Sequence, residues 1–469
     1  MLIEFSVENF RSIKERVTLS MVSSSDKSLD NNLIRTDSLE KESLLRSALI
    51  YGANASGKSN VILAFKFLKG LVRNSHKNQK DIKIRVSPFK LDADYPSKPS
   101  KFEVIFIKNN TKYVYGVSVT TEKVIDEYLY HYPKGRRAIL FVRENTTDYK
   151  FITDIKEQKF LSERTLENVL YLSSSTQLNY TKLSEAFDWF NGDLKVITPE
   201  SEVNMIAFTI NRFNKDNNLK EYMLKALTEA DLGIDDFSAS FEKVSTDEGT
   251  KASTDEGSMD ISKILGALEK MSLADNRGSV LISDRKGNLR KIDVRTIHTS
   301  LKGTSNELKV PFKFEEESDG TKKIFSLIGP WIDALSNGRI LIVDELDTKL
   351  HHRLNLFLIK LFHDPTQNTK NAQLIFTTHN TNLLDLDLFR RDQVWFTEKN
   401  PNTGSTDLYS LLEFKPRKDQ NIQKGYIAGR YGAIPFISDE RIFVEPKDKL
   451  KWADMDEGKK EEEKPKEFS

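Results

Sequence analysis

Apolar and polar residues alternate at the start of the chain, Met1-Leu2-Ile3-Glu4-Phe5-Ser6-Val7, with the period of two that gives a strand one buried face. The short apolar run Ala48-Leu49-Ile50 reads as another strand, and Val61-Ile62-Leu63-Ala64-Phe65 begins a helical pattern that a mixed-charge loop, Asn74 to Lys80, ends. From Phe102 to Arg143 the pattern returns to strands. Phe102–Phe106 and Tyr113–Val117 flank an Asn109-Asn110 turn, and Tyr128–Tyr132 and Ala138–Val142 follow, which predicts an antiparallel lobe. Between about 155 and 235 the apolar spacing is helical, as in Leu183, Phe187 and Phe190 or Tyr222, Leu224, Ala226 and Leu227. Gly278–Ile282 and Lys291–Val294 suggest strands again, Ile324, Leu327, Ile328, Trp331 and Ile332 a helix, Arg339–Glu345 a strand buried on both faces, and Ala372–Asn380 a second apolar strand. No heptad pattern persists between the first helix and residue 300, so no long coiled coil is expected.

The pattern divides the chain at 1–75, 76–154, 155–300, 301–445 and 446–469. Ser245-Thr246-Asp247-Glu248-Gly249 recurs as Ser253-Thr254-Asp255-Glu256-Gly257. Being acidic and poor in apolar residues, it predicts a mobile loop over 243–259 with little to bury. The charged stretch Gly458–Pro465 predicts a solvated tail. Lys and Arg number 71 against 70 Asp and Glu, so any nucleic-acid surface must be local. The absence of cysteine excludes disulfides, Fe–S clusters and thiol chemistry and fits a reducing compartment. No run reaches the roughly 18 apolar residues that span a bilayer, and no signal peptide opens the chain. A cytoplasmic protein without membrane association is expected.

Gly52-Ala53-Asn54-Ala55-Ser56-Gly57-Lys58-Ser59 is a complete phosphate-binding loop between a strand and a helix, the context the motif requires. Its backbone N–H groups and the helix N-terminus favour a polyphosphate. Gly52, Asn54, Gly57, Lys58, Ser59 and Asn60 form the expected nucleotide contact, with Lys58 on the β- and γ-phosphates and Ser59 on Mg²⁺. Hydrolysis also needs a metal-holding acid and a base. Arg339-Ile340-Leu341-Ile342-Val343-Asp344-Glu345 supplies both at the end of an apolar strand: Asp344 for Mg²⁺, Glu345 to polarise water. The wide separation of Lys58 and Asp344 makes the intervening lobes insertions within one ATPase core. Ser318 and Gly320, in Glu317–Lys323 ahead of a helix, read as a second anion cradle or as an ordinary helix cap. His379 closes the strand Ala372–Thr378 as a candidate γ-phosphate sensor. His351-His352 reads as a helix start rather than a metal site.

In this order the motifs are similar to those of the ABC-type ATPases of the RecF, SMC and OLD group, whose heads also open with a strand like Val7-Glu8-Asn9-Phe10-Arg11-Ser12. Glu345–His351 and Gly425–Pro435 resemble patterns of the AAA15 subgroup. The resemblance covers residues 1 to about 437 and implies an α/β ABC-type ATPase head with a mixed β-sheet lobe, a parallel phosphate-loop core and an inserted helical segment. It further implies a head-to-head homodimer with ATP and Mg²⁺ between subunits. One protomer would supply Gly57, Lys58, Ser59, Asp344, Glu345 and His379, and the other Ser318 and Gly320, with Asp347 in the contact loop. A metal-coupling glutamine is also implied, with Gln177 the candidate. The full Leu-Ser-Gly-Gly-Gln signature of transporters is absent.

Arg441–Asp448 faintly resembles the start of a Toprim nuclease, but no later Asp-x-Asp stands in a strand pattern, so the nuclease is expected on another chain. Family members of this build commonly sit in bacterial antiphage operons such as those of the PARIS, RloA/RloB and abortive-infection kinds. The resemblance therefore implies an ATP-driven sensor or scaffold of a separately encoded effector, Toprim- or RloB-like or another toxin, with DNA or a phage protein as trigger. The alternative is a RecF-like DNA clamp using His76, Lys77, Lys80, Lys83 and Arg85 or Lys134, Arg136 and Arg137. An autonomous nuclease is disfavoured, since no further acid cluster is evident.

Overall fold

The computed structural model describes residues 1–39, 42–213, 217–229, 233–243, 280–283, 289–300 and 308–435. The tandem repeat at 245–257, the rest of the loop 243–259 beyond its first residue, the segment 441–448 and the tail 446–469 lie outside them. The chain opens with β1 (Leu2–Glu8), β2 (Val17–Ser20), the short pair β3 (Leu33–Ile34) and β4 (Leu44–Leu45), then β5 (Ser47–Tyr51) and α1 (Lys58–Asn74). Five strands follow: β6 (Ser100–Lys108), β7 (Thr111–Val119), β8 (Val124–Tyr132), β9 (Ala138–Glu144) and β10 (Asp148–Lys150). Asn109 and Asn110 both take positive φ (49° and 57°), the two-residue turn whose twist matches a hairpin.

The chain then forms α2 (Ile155–Ser162), α3 (Tyr171–Gln177), α4 (Ser184–Asp188), β11 (Leu194–Ile197), α5 (Glu202–Phe213) and α6 (Asn217–Glu229). A small sheet is built from β12 (Asp236–Lys243), β13 (Val280–Ser283), β14 (Leu289–Ser300) and β15 (Leu308–Lys313). Last come α7 (Asp319–Asn337), β16 (Ile340–Val343), α8 (His352–His363), β17 (Gln373–Thr377), β18 (Val394–Lys399), β19 (Thr406–Ser410) and α9 (Ile422–Ile427).

Two large sheets carry the site. The antiparallel one runs β10-β9-β8-β7-β6-β1-β2, combining strands from both sides of residue 75. The other runs β11-β16-β17-β5-β18-β19 and is parallel from β11 to β18, with only β19 antiparallel. Its strands read as uninterrupted apolar runs because alternate residues feed different cores. Ala48, Ile50, Ile340, Ile342 and Ile375 pack towards one cluster, and Leu49, Tyr51, Leu341, Val343, Leu374 and Phe376 towards another. The edge strand β11 departs from the helical reading of 155–235. Its four residues, Leu-Lys-Val-Ile, are too short to show a period, and pairing with β16 decides their conformation.

Buried charge ties these layers together. Asp333 of α7 is 1% exposed and pairs with Arg212 of α5 (2.5 Å), Lys195 of β11 (3.4 Å) and Arg339 before β16. Glu127 of β8 is buried against Arg143 and accepts the first amides of α3, from Tyr171 (2.6 Å) and Leu172 (3.0 Å). That carboxylate both caps α3 and docks it on the antiparallel sheet.

Candidate nucleotide site

Because β5, β16 and β17 are parallel neighbours, their C-terminal ends lie along one sheet edge, where open α/β sheets take ligands. The phosphate loop leaves β5, Asp344 and Glu345 leave β16, and Thr378-His379 leave β17 between them.

The loop's shape depends on its glycines and on threonines from β18 and β19. Gly57 sits at φ 108°, and a Cβ there would lie 2.2 Å from Thr406 Oγ1. Thr406 Oγ1 donates to the Ser56 carbonyl (2.8 Å), and Ser56 Oγ shares a hydrogen bond with Thr397 Oγ1 (2.7 Å). Ser12 hydrogen-bonds Thr406 Oγ1 (2.7 Å) and accepts from Asn60 Nδ2 (2.6 Å). Asn60 thus holds the opening motif against α1. Asn54 and Ala55 form the exposed tip.

Lys58 is 6% exposed and donates to the carbonyls of Gly52 (2.7 Å) and Ala53 (3.0 Å), closing the loop on itself. Burial brings its ammonium down to about 8, while the nearby charges of Asp344, Glu345 and Asp347 oppose the shift. Asp344 is 5% exposed. Burial raises its carboxyl pKa, opposed by donors from Thr377 and Ser59. Ser59 thus stands close enough to Asp344 to influence its ionisation, bringing the loop beside β16. A hydroxyl and a carboxylate oxygen side by side form the hard-oxygen set that Mg²⁺ takes alongside phosphate oxygens, so these residues fit the ion.

Glu345 adopts a left-handed backbone (φ 53°), which turns the chain off β16 and leaves the side chain half-buried at the sheet edge. Its amide donates to Thr377 Oγ1 (2.7 Å) and its carboxylate accepts from Thr348 (3.3 Å). The His379 amide donates to both Asp347 carboxylate oxygens (3.3 and 3.2 Å). Burial lowers the ring's pKa, Lys58 lowers it further, and Asp347, Glu345 and Asp344 oppose. A largely neutral imidazole beside a cation and three carboxylates can donate to, or accept from, a terminal phosphate oxygen. Tyr426 buttresses this corner. Tyr426 packs on Tyr51 (5.7 Å between ring centres), and the Tyr51 hydroxyl donates to the Asn380 carbonyl (2.8 Å), next to His379.

Ser318 and Gly320 open α7 elsewhere on the surface. Ser318 caps the helix, its Oγ accepting from the Thr321 amide (3.1 Å), and the side chain is exposed. A Cβ on Gly320 would lie 3.1 Å from the Lys349 carbonyl, and Lys349 pairs with Asp319 (3.4 Å). The turn therefore stands against the loop that follows Asp347. His351 caps α8 through Nδ1, which accepts from the Arg353 amide (3.3 Å), and no metal-holding cluster of His, Asp and Glu occurs among the described residues.

Gln177 is not brought to the site, which corrects its assignment as a metal ligand. It ends α3, whose Ser173 hydroxyl meets His76 just beyond the far end of α1, about 25 Å of helix away from Lys58. Thr377, Thr397 and Thr406 are the contacts that motif spacing misses. A lone threonine carries no sequence signal; only the strand order places these around the loop and the acids.

No curated protein sequence matches the chain. Solved structures with a similar chain path include an SmcHead bound to the C-winged helix domain of ScpA (13% identical over 88% of this chain and 99% of that one, TM-score 0.40). Another is an Smc head domain with an extended coiled coil bound to the C-terminal domain of ScpA, derived from Pyrococcus furiosus (14%, 88% and 97%, TM-score 0.36). A third is the recombination mediator RecF-ATP of the RecFOR pathway (15%, 87% and 99%, TM-score 0.32). The fold is α/β, with the phosphate loop on a parallel core, a flanking antiparallel sheet and two acids at the shared strand edge. Among the described residues no helix is long and apolar enough to cross a membrane. One family model matches residues 47–385, from the phosphate-loop strand past His379, and the chain belongs to that family, described as AAA domain, putative AbiEii toxin, Type IV TA system.

Proposed function

We propose that the protein is an Mg²⁺-dependent ATPase whose complete site forms between two copies of the chain, and that it acts as sensor or scaffold of a bacterial antiphage, abortive-infection system with a separate effector. One observation carries the ATPase reading: Lys58, Ser59, Asp344, Glu345, Asp347 and His379 meet at one sheet edge, while Ser318 stands exposed and Gly320 lies beside Lys349. Asp344 and Ser59 would hold the metal, Glu345 would orient and polarise the attacking water, and His379 would stabilise the terminal phosphate. The Ser318 Oγ accepts from the Thr321 amide (3.1 Å) and shares a hydrogen bond with the Thr321 hydroxyl (2.9 Å), and its exposed hydroxyl would meet a phosphate oxygen of the second copy. The family description, with its toxin association, supports the defence role. The motifs Glu345–His351 and Gly425–Pro435 support a placement near the AAA15 and OLD-like chains.

Mixing two inactive variants, Lys58→Ala and Ser318→Asp, tests the composite site. In a mixed dimer one site pairs an intact phosphate loop with an intact Ser318 turn, so activity returns on mixing. No return, with both variants dimeric, overturns the reading. Glu345→Gln should retain ATP and trap the closed pair, and normal turnover by that variant removes Glu345 as the base.

The alternative, a RecF-like DNA clamp, draws support from a local excess of positive charge. Lys66, Lys69 and Arg73 share one face of α1 near Lys195, Arg212 and Arg339, with the carboxylates of Asp333 and Glu200 among them. A duplex-binding assay across salt concentrations decides: a clamp loses affinity steeply with salt, and the absence of any complex at low salt removes this alternative.

A further inference from the structure

Glu317, the residue before Ser318, turns its carboxylate inward, where it is 9% exposed. It accepts hydrogen bonds from the Thr296 hydroxyl and from Nε2 of His298 (2.7 Å). Thr296 and His298 are two apart on β14 and so share one face of that strand. β14 is the hub of the inserted sheet, pairing with β12, β13 and β15 along its length. Thr296 is fully buried, and His298 stands edge-on to Phe312 of β15 (4.8 Å between ring centres).

Apolar contacts join the same parts. Phe237 of β12 and Phe314, just ahead of Glu317, both pack on Phe325 in the second turn of α7 (4.8 and 5.1 Å). On its other side the turn rests against Lys349, two residues after Asp347. The Ser318 turn is therefore held between the inserted sheet and the loop that follows the catalytic acids. A buried carboxylate that loses its donors is costly, so Glu317 follows β14 when that strand shifts. Glu317 is bonded directly to Ser318, and its extended backbone (ψ 154°) transmits the shift to the turn.

We infer that Glu317 is a positioning residue which couples the inserted sheet, through Thr296 and His298, to the nucleotide contact that Ser318 and Gly320 make in the opposite subunit. An occupant of the inserted sheet that displaces β14 thereby changes ATP turnover without touching the phosphate loop. This rests on the composite-site reading.

The test compares Glu317→Ala, Glu317→Gln and Thr296→Val with Ser318→Asp in the full chain. ATP affinity of the dilute subunit, set by the phosphate-loop side, should stay within about twofold in all four. ATP-dependent dimerisation and kcat should fall about tenfold in Glu317→Ala, with KM little changed, and about threefold in Thr296→Val. Glu317→Gln, which keeps an acceptor for Thr296, should recover most of the loss. A purely structural role would instead lower thermal stability and nucleotide affinity together, without rescue by glutamine. If Glu317→Ala unfolds, Thr296→Val decides, and wild-type kcat in that variant overturns the coupling. Wild-type turnover by Glu317→Ala overturns it while Ser318→Asp stays inactive. If Ser318→Asp is also fully active, the composite site itself has failed.

Discussion

The Thr377 hydroxyl bridges the two acids that end β16: it donates to Asp344 Oδ1 at 2.6 Å and accepts the Glu345 amide at 2.7 Å. One side chain from the neighbouring strand thus fixes both the carboxylate proposed to hold the metal and the backbone turn that carries Glu345, the proposed base. Thr377→Val keeps the shape and removes both bonds. Taking one donor from a buried acid and leaving an amide without its acceptor should cost about 2 kcal/mol and lower kcat about tenfold. Thr377→Ser should remain near wild type in denaturant midpoint and turnover, and equal damage in both variants would refute the hydroxyl's role.

Asp344 makes an opposite contribution to stability and to binding. Burial raises its pKa in the nucleotide-free fold. Its contribution to folding is therefore full below the ordinary carboxylate range and is lost as pH rises through the raised value. Asp344→Asn should raise the melting temperature of the nucleotide-free protein at pH 7.5 by about 1–3 °C, with the gain fading in acid. The metal-dependent part of ATP affinity should disappear in the same variant. A lowered melting temperature at pH 7.5 would count against this account.

For Lys58 the linkage runs the other way, because burial lowers its pKa to about 8 from 10.5. The unfolded chain binds the extra proton between those values, so this group's contribution to stability rises as pH climbs through that window. Phosphate oxygens favour the ammonium, so ATP binding above pH 8 should take up a proton. Affinity should then fall by up to about tenfold per pH unit from pH 8 towards the pKa of the bound state. Calorimetry in buffers of different ionisation heat reads the proton uptake directly. Lys58→Arg, charged throughout, should show no uptake, and a wild-type affinity that is flat to pH 9.5 would contradict the shift.

Gly57 is confined both by conformation and by space. At φ 108° with Thr406 Oγ1 2.2 Å from a would-be Cβ, Gly57→Ala should abolish ATP binding and destabilise the fold by about 2 kcal/mol or more. Adding Thr406→Gly removes the clash but leaves the backbone strain. The double variant should therefore regain stability in part and ATP affinity scarcely at all, as read by thermal shift with and without nucleotide.

Much of the site could be read from local pattern because its chemistry is local. Gly52–Ser59 needs two glycines, a lysine and a hydroxyl at fixed spacing to wrap a phosphate. Ile340–Val343 needs an unbroken apolar run to lie buried between two layers before delivering Asp344 and Glu345. The misses share a different cause. β11 is four residues that become a strand only by pairing with β16, and the assignment of Gln177 fails because sequence does not say at which end of α1 the helix α3 docks.

Residue order along the chain thus determined which groups could bind phosphate, metal and water, since each motif encodes its own backbone geometry within a few residues. Which of them meet was decided by the strand order β16-β17-β5, which sets His379 between Lys58 and the acids, and by the buried carboxylates of Asp333 and Glu317, which tie α7 to the core and to the inserted sheet. These pairings join residues far apart in sequence, and their energy comes from burial and hydrogen bonds that exist only once the layers have packed.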